Sequence, residues 1–297
     1  MAKAHAVCIG LNSVDPKHYQ GWSGDLLACE ADAEDMLAIA KAKKFKKTTL
    51  LLTTSATRKR VVAAIESAAR SLVSGDLFLL TYSGHGGQLP DKNDDEPDHQ
   101  DETWCLYDGE LVDDELYVLW SKFKPGVRVL VFSDSCHSGT VTRALLRESA
   151  LRTGTIAPIA RARRGGAATR APMPAPVIDP AATRYRAMPD ETAQVVYRRN
   201  KAFYDGVLKA IPANPPKPKA TVRLISGCQD NQLSQDGTFN GLFTGTLLKV
   251  WKDGAFTGNY AKFHRAIVDR MPSDQTPKHF VIGAPNHPYD AEIPFTV

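Results

Sequence analysis

Three short stretches hold residues whose types and spacing could do chemistry: "YSGHGGQ" (82–88), "SDSCHSGT" (133–140) and "LLACEADA" (26–33). The second closes an apolar run, Val129 to Phe132, with small polar residues around the thiol of Cys136, Asp134 before it and His137 after it. The first closes another apolar run with Ser83 and His85, the histidine set among Gly84, Gly86 and Gly87. A thiol is mostly protonated at neutral pH and attacks well only with a base or a lowered pKa. His85 can take that proton and later return it to a leaving amine. His137 is the rival base, but adjacent side chains of an extended segment point apart. The backbone amides of Gly86 and Cys136 are candidates to hold a developing oxyanion, and losing one such donor typically costs about 2.7–4 kcal/mol. The plain alternative is a buried structural cysteine and a histidine in an ordinary glycine turn. A metal site of His85, Cys136 and His137 lacks a clear fourth ligand.

These residues need a scaffold that brings strand ends together. "HAVCIGL" (5–11), "TTLLLTT" (48–54), "DLFLLTY" (76–82) and "VRVLVFS" (127–133) read as strands. Helical spacing separates them: Leu26, Ala33, Leu37 and Ala40, then Val61, Val62, Ile65, Ala69 and Leu72 after Thr57. "TVRLISGC" (221–228) and "HFVIGAP" (279–285) add a fifth and a sixth strand, with helices expected at 195–211, 241–252 and 259–270. Such alternation predicts a mostly parallel sheet with helices on both faces. Reactive groups in such sheets gather beyond the carboxyl ends of the strands, where Ser83, His85, Asp134 and Cys136 fall. Residues 91–116 are acid-rich and read as a surface excursion, then a hairpin, with a helix opening at Asp113. Residues 152–186 hold seven arginines, five prolines and one acid, which predicts a flexible, exposed insertion at about 150–190 in a single domain of 297 residues.

The totals exclude several classes. Composition is that of a soluble globular protein, 43% hydrophobic and 24% charged, without an apolar run long enough to span a membrane. No secretory signal pattern opens the chain, so the cytoplasm is expected, and reduced thiols with it. Five scattered cysteines argue against a disulfide framework, and a net charge of +4 without a phosphate loop or zinc-finger spacing argues against nucleic acid.

Taken together, "YSGHGGQ" and "DSCHSGT" resemble the two catalytic motifs of the metacaspases, caspase-like cysteine peptidases, and the chain is similar to their compact bacterial branch. His85 lies 51 residues upstream of Cys136, which fits a caspase-type spacing. "LLACEADA" resembles the family's element after the first strand, with Ala28 at a usual glycine, and "LISGCQDNQLSQD" (224–236) its fifth-strand segment. The resemblance implies a caspase-like three-layer α/β sandwich and hydrolysis of peptide bonds after arginine or lysine by a His85/Cys136 dyad. It implies a specificity pocket of Cys29, Asp32, Ser83 and Asp134. Two carboxylates there suit a cationic side chain.

The chemistry itself calls for no cofactor. Many relatives use calcium as an activator, which makes Asp101, Glu102, Asp113 and Asp114 candidate ligands, since hard carboxylate oxygens suit that ion. Arg143 stands where a further ligand acid is expected. An arginine-specific peptidase with an arginine-rich insertion is a substrate for itself. The candidate self-processing positions are Arg152, Arg161, Arg163, Arg164, Arg170, Arg184, Arg186, Arg198 and Arg199. The expected partners are basic peptide or protein substrates, with no nucleic acid or membrane, and the expected state is a monomer. The competing function is a catalytically inactive caspase-like scaffold that binds proteins through its cleft or insertion.

Overall fold

Along the central strands every residue is buried, and successive side chains enter opposite faces. In β3 (Leu77–Ser83), Phe78, Leu80 and Tyr82 join one apolar cluster while Leu77 and Leu79 join the other. In β7 (Arg128–Asp134), Val129 and Val131 side with the first, and Leu130 and Phe132 with the second. A sheet buried on both faces needs helices on both, which is why these strands read as unbroken apolar runs. The computed structural model describes residues 2–90, 100–135, 185–212, 214–228, 235–237 and 239–297.

The remaining strands are β1 (Ala4–Gly10), β2 (Lys47–Leu52), β4 (Gly86–Pro90), β5 (Gln100–Leu106), β6 (Gly109–Val112), β8 (Thr221–Ser226) and β9 (Lys278–Gly283). The main sheet has the order β2-β1-β3-β7-β8-β9, parallel except for β9. Two helices, α1 (Cys29–Ala42) and α2 (Arg58–Ser71), follow β1 and β2, and α3 (Asp113–Ser121) precedes β7. The apolar faces of α2 and α3 build the first cluster, through Val61, Ile65, Leu116 and Trp120. The second cluster takes Met36 and Ile39 of α1 with residues of α6 (Leu242–Trp251) and α7 (Tyr260–Val268). This is the expected six-stranded, mostly parallel sheet in a three-layer sandwich.

Beside it, β4, β5 and β6 form a small antiparallel sheet. The acid-rich excursion therefore departs from expectation at its end. Asp101 and Glu102 lie in β5 with 2% exposure each, paired with Leu89 and Gln88 of β4. The helix expected at 195–211 is two helices, α4 (Asp190–Arg199) and α5 (Lys201–Ala210). They divide at Asn200, whose amide donates to the carbonyls of Val196 and His18. A third cluster, with Tyr19, Leu89, Met188, Val196 and Tyr204, packs this helix pair against the small sheet. The last helix is α8 (His287–Ala291).

Candidate active site

The parallel register pairs Ser83 at the end of β3 with Asp134 at the end of β7, the same offset that separates His85 from Cys136. Cys136 lies outside the described residues. Two residues past β3's pairing with Asp134, His85 is buried under Trp22, their ring centroids 4.7 Å apart. Its Nε2 lies 2.8 Å from the carbonyl oxygen of Gly24. A carbonyl only accepts, so Nε2 carries the proton of the neutral ring and Nδ1 keeps its lone pair. Nδ1 is buried and has no hydrogen-bond partner among the described residues. Burial pushes the imidazole's pKa down to about 4, although the hydrogen bond to Gly24 works the other way. Near neutrality this ring is uncharged and can accept a proton.

The histidine loop is fixed from beneath. Tyr82 donates its hydroxyl to the carbonyl of His85 at 2.7 Å and stacks on Trp104, whose indole donates to Ser133 at 3.0 Å. A Cβ at Gly87 would fall within 3.0 Å of the side chains of Glu110, Met188 and Thr103, so a larger residue here would have to push them aside.

Three carboxylates converge beside this loop on one guanidinium, that of Arg186. The Nη2 of Arg186 donates to Asp32 at 2.8 Å and to Asp236 at 2.9 Å. Its Nη1 donates to Ser83 Oγ at 2.8 Å and lies 3.0 Å from an Asp134 carboxylate oxygen. The side chain is fully buried, whereas the sequence predicts an exposed arginine at this end of the insertion. Its opposing charges are the reason: a buried cation is tolerated when paired, and both terminal nitrogens are, although Nε has no hydrogen-bond partner among the described residues. The guanidinium pKa is raised further, burial opposing and Asp134, Cys29, Asp32 and Asp236 prevailing.

Each acid is itself held. Asp32 accepts from Ser83 Oγ at 2.7 Å, Asn240 at 3.1 Å and the Gly241 amide at 3.0 Å. Asp134 accepts from the amide and hydroxyl of Thr244, in the first turn of α6. Burial lifts Asp32 to about 6, Arg186 pulling it down and Asp134 adding to the rise. Cys29 opens α1, buried, its thiol pushed well up by burial. So Asp32, Ser83 and Asp134 meet around one cation, and Cys29 lies at the same place. Asp236, Asn240, Gly241 and Thr244 escaped the sequence reading. Asp236 does end the quoted stretch 224–236, but nothing in its spacing marks it as facing α1.

The backbone around Arg186 lies like a bound peptide. The amide of Gly86 donates to the carbonyl of Arg186 at 2.9 Å, and the amide of Met188 donates to the carbonyl of Gly86 at 2.8 Å. Gly86 bridges Ala187, and Tyr185 bridges Gln235 in antiparallel fashion. Arg198 and Arg199 sit exposed in the last turn of α4, in helical rather than extended backbone. Arg152, Arg161, Arg163, Arg164, Arg170 and Arg184 lie outside the described residues.

For calcium, Asp101 and Glu102 come from β5, and Asp113 and Asp114 open α3. Their oxygens suit the ion, but among the described residues no group of three or more His, Cys, Asp or Glu gathers closely enough to hold a metal. No helix among the described residues is long and apolar enough to cross a membrane.

Comparison with known proteins bears on the family and the fold. The family described as Peptidase C14, caspase domain, matches residues 5–283. Metacaspase-1 of Emericella nidulans is 27% identical over 98% of this chain and 72% of its own length. Metacaspase-1A of Neosartorya fischeri is 28% identical over 82% of this chain, which spans only 56% of that protein. The crystal structure of protein GSU0716 from Geobacter sulfurreducens matches with 52% identity and a TM-score of 0.80, covering 99% of both chains. Caspase-1 from Spodoptera frugiperda shares the fold at a TM-score of 0.51 and 11% identity.

Proposed function

We propose that this chain, which belongs to the caspase-domain peptidases and is of the metacaspase type, cuts peptide bonds after arginine or lysine with Cys136 as nucleophile and His85 as base. One observation carries the specificity: a buried arginine of the same chain rests on Asp32, Asp134 and Asp236 with its carbonyl on the Gly86 amide. A pocket lined by buried carboxylates suits a cation and repels an aspartate.

In this reading Nδ1 of His85 takes the proton of the Cys136 thiol, and the sulfur attacks the carbonyl carbon of the residue in the pocket. The oxyanion rests on the amides of Gly86 and Cys136. The peptide C–N bond breaks as His85 returns its proton to the leaving nitrogen, leaving a thioester. Water, deprotonated by His85, then hydrolyses the thioester and frees the carboxylate product and the thiol. None of these steps uses a cofactor.

Self-processing belongs to the same proposal. Among the described candidate arginines, Arg186 is the one whose side chain and carbonyl sit as a substrate's would, which makes Arg186–Ala187 the bond we expect to be cut. The test is turnover of fluorogenic arginyl, lysyl and aspartyl peptides by the wild type, Cys136→Ala and His85→Ala. Cleavage of the basic peptides alone, lost in both variants, supports the proposal. Cleavage that survives Cys136→Ala refutes it, and silence toward every peptide together with an intact chain favours the scaffold function.

A further inference from the structure

The pocket's fit to its resident is closer than a cation alone requires. Nη1 of Arg186 is held by Ser83 and by the carboxylate and backbone carbonyl of Asp134, and Nη2 by Asp32 and Asp236. The two nitrogens are therefore recognised separately, from opposite sides of the fork. The flat face of the group lies against Gly241: a Cβ built there would fall 2.4 Å from Nη2 and 2.6 Å from Cζ and Nη1. Any side chain at 241 would occupy the space of the guanidinium plane.

Asp236 completes the fork from a separate segment. It lies ten residues past the end of β8, and its side chain is 2% exposed. The Leu27 amide donates to its Oδ2 at 2.7 Å, which turns Oδ1 toward Nη2 at 2.9 Å. The carboxylate is thus oriented by a contact besides the guanidinium. Asp32 and Asp134 already supply more negative charge than one cation neutralises, so charge balance alone gives no reason for a third buried acid. Its position at the second nitrogen does.

Resting on the proposed peptidase function, we infer that Asp236 is a specificity-determining residue that makes this site select arginine over lysine. An ammonium is a single centre that cannot engage the Ser83/Asp134 side and the Asp32/Asp236 side as two nitrogens do. A lysine in the pocket leaves Asp236 buried without its cation, a penalty the arginine does not meet.

The experiment compares peptides that differ only in arginine or lysine before the cleaved bond. The quantity read is the ratio of their kcat/KM values for the wild type and for Asp236→Asn. Both substrates meet the same sample, so the fraction of active enzyme cancels from the ratio. The wild type should favour arginine by about tenfold or more, and Asp236→Asn should bring the ratio toward one by losing arginine turnover chiefly. A wild-type ratio near one, or a ratio unchanged in Asp236→Asn, overturns the inference. Absence of cleavage of either peptide by the wild type is a different result and overturns the peptidase function itself. The chain supplies a second reading in cis. Arg186→Lys should self-cleave about tenfold slower than the wild type, and the gap should close in the Asp236→Asn background; equal rates with Asp236 intact overturn the inference.

Discussion

Replacing Arg186 by glutamine tests how the chain presents its own bond to its own site. Glutamine keeps a polar, uncharged head of moderate length but removes the cation that meets Asp32, Asp134 and Asp236 at 2.8 to 3.0 Å with no solvent exposure. Removing one partner of a buried ion pair typically costs about 3–5 kcal/mol, because the other partner stays buried without compensation. All of that cost falls on the docked arrangement of residues 185–188, since a released segment returns the acids to water. At 1.36 kcal/mol per decade the docked population falls roughly 10²–10⁴-fold, and cutting at 186–187 should slow by the same factor. The assay is intact-mass spectrometry over time on the wild type, Arg186→Gln and Cys136→Ala. The wild type should yield residues 1–186 and 187–297, Arg186→Gln should remain whole at this bond, and Cys136→Ala should stay intact throughout. Unaltered cutting after residue 186 in the glutamine chain would refute the reasoning, as would a first cut elsewhere in the wild type.

Further outcomes follow from the same contacts. The two fragments should co-elute in native gel filtration, because β8 of the second pairs with β7 of the first and Met188, Val196 and Tyr204 stay packed on the small sheet; separation without denaturant would contradict this. Self-cutting at 186–187 should slow as pH drops through about 6, where burial makes Asp32 take up a proton and lose its pull on the docked Arg186, while His85 stays neutral down to about 4. An acid limb confined below pH 5 would count against the role of Asp32. Glu110 is fully buried, its carboxyl lifted to about 7 by burial although Thr103 and Tyr204 oppose. It holds a proton in the fold that the unfolded chain releases near 4.5, so stability should decline between pH 4.5 and 7 by roughly 3 kcal/mol. Glu110→Gln should flatten that decline in denaturant melts, and an unchanged slope would assign it to other groups. Chelation should leave the arginyl rate within about twofold, consistent with hydrolysis that needs no metal; a larger loss restored by calcium would point to the acids of β5 and α3.

The main sheet was legible because burial on both faces writes each strand as a continuous apolar run. The antiparallel sense of β9 was not, since an edge strand's direction depends on the path of the chain and not on its side chains. Strand β4, "GGQLP", carries two glycines and a proline and gives no strand signal; it exists because β5 pairs with it. The acids of β5 looked solvated because an acid run usually is, and only the fold shows Asp101 and Glu102 buried beside β4. At the site, Asp32, Ser83 and Asp134 could be named from short motifs at strand and helix ends. Asp236 could not, because its partner is reached across the fold. The occupant of the pocket was hidden for a related reason: Arg186 ends a stretch whose composition cannot build a core, and three distant carboxylates decide its burial.

The central claim, a Cys136 nucleophile served by an arginine pocket, is tested most directly by covalent labelling. Wild-type protein treated with matched arginyl and aspartyl electrophilic peptides would be digested and its five cysteines mapped by mass. Cys8, Cys29, Cys105 and Cys228 are buried, and burial pushes the thiols of Cys8, Cys29 and Cys105 upward, Cys8 to about 12. The account predicts one adduct, on Cys136, formed with the arginyl reagent, not formed with the aspartyl one, and strongly slowed by His85→Ala. Equal labelling by both reagents, or adducts spread over the other cysteines with Cys136 unmodified, would contradict it.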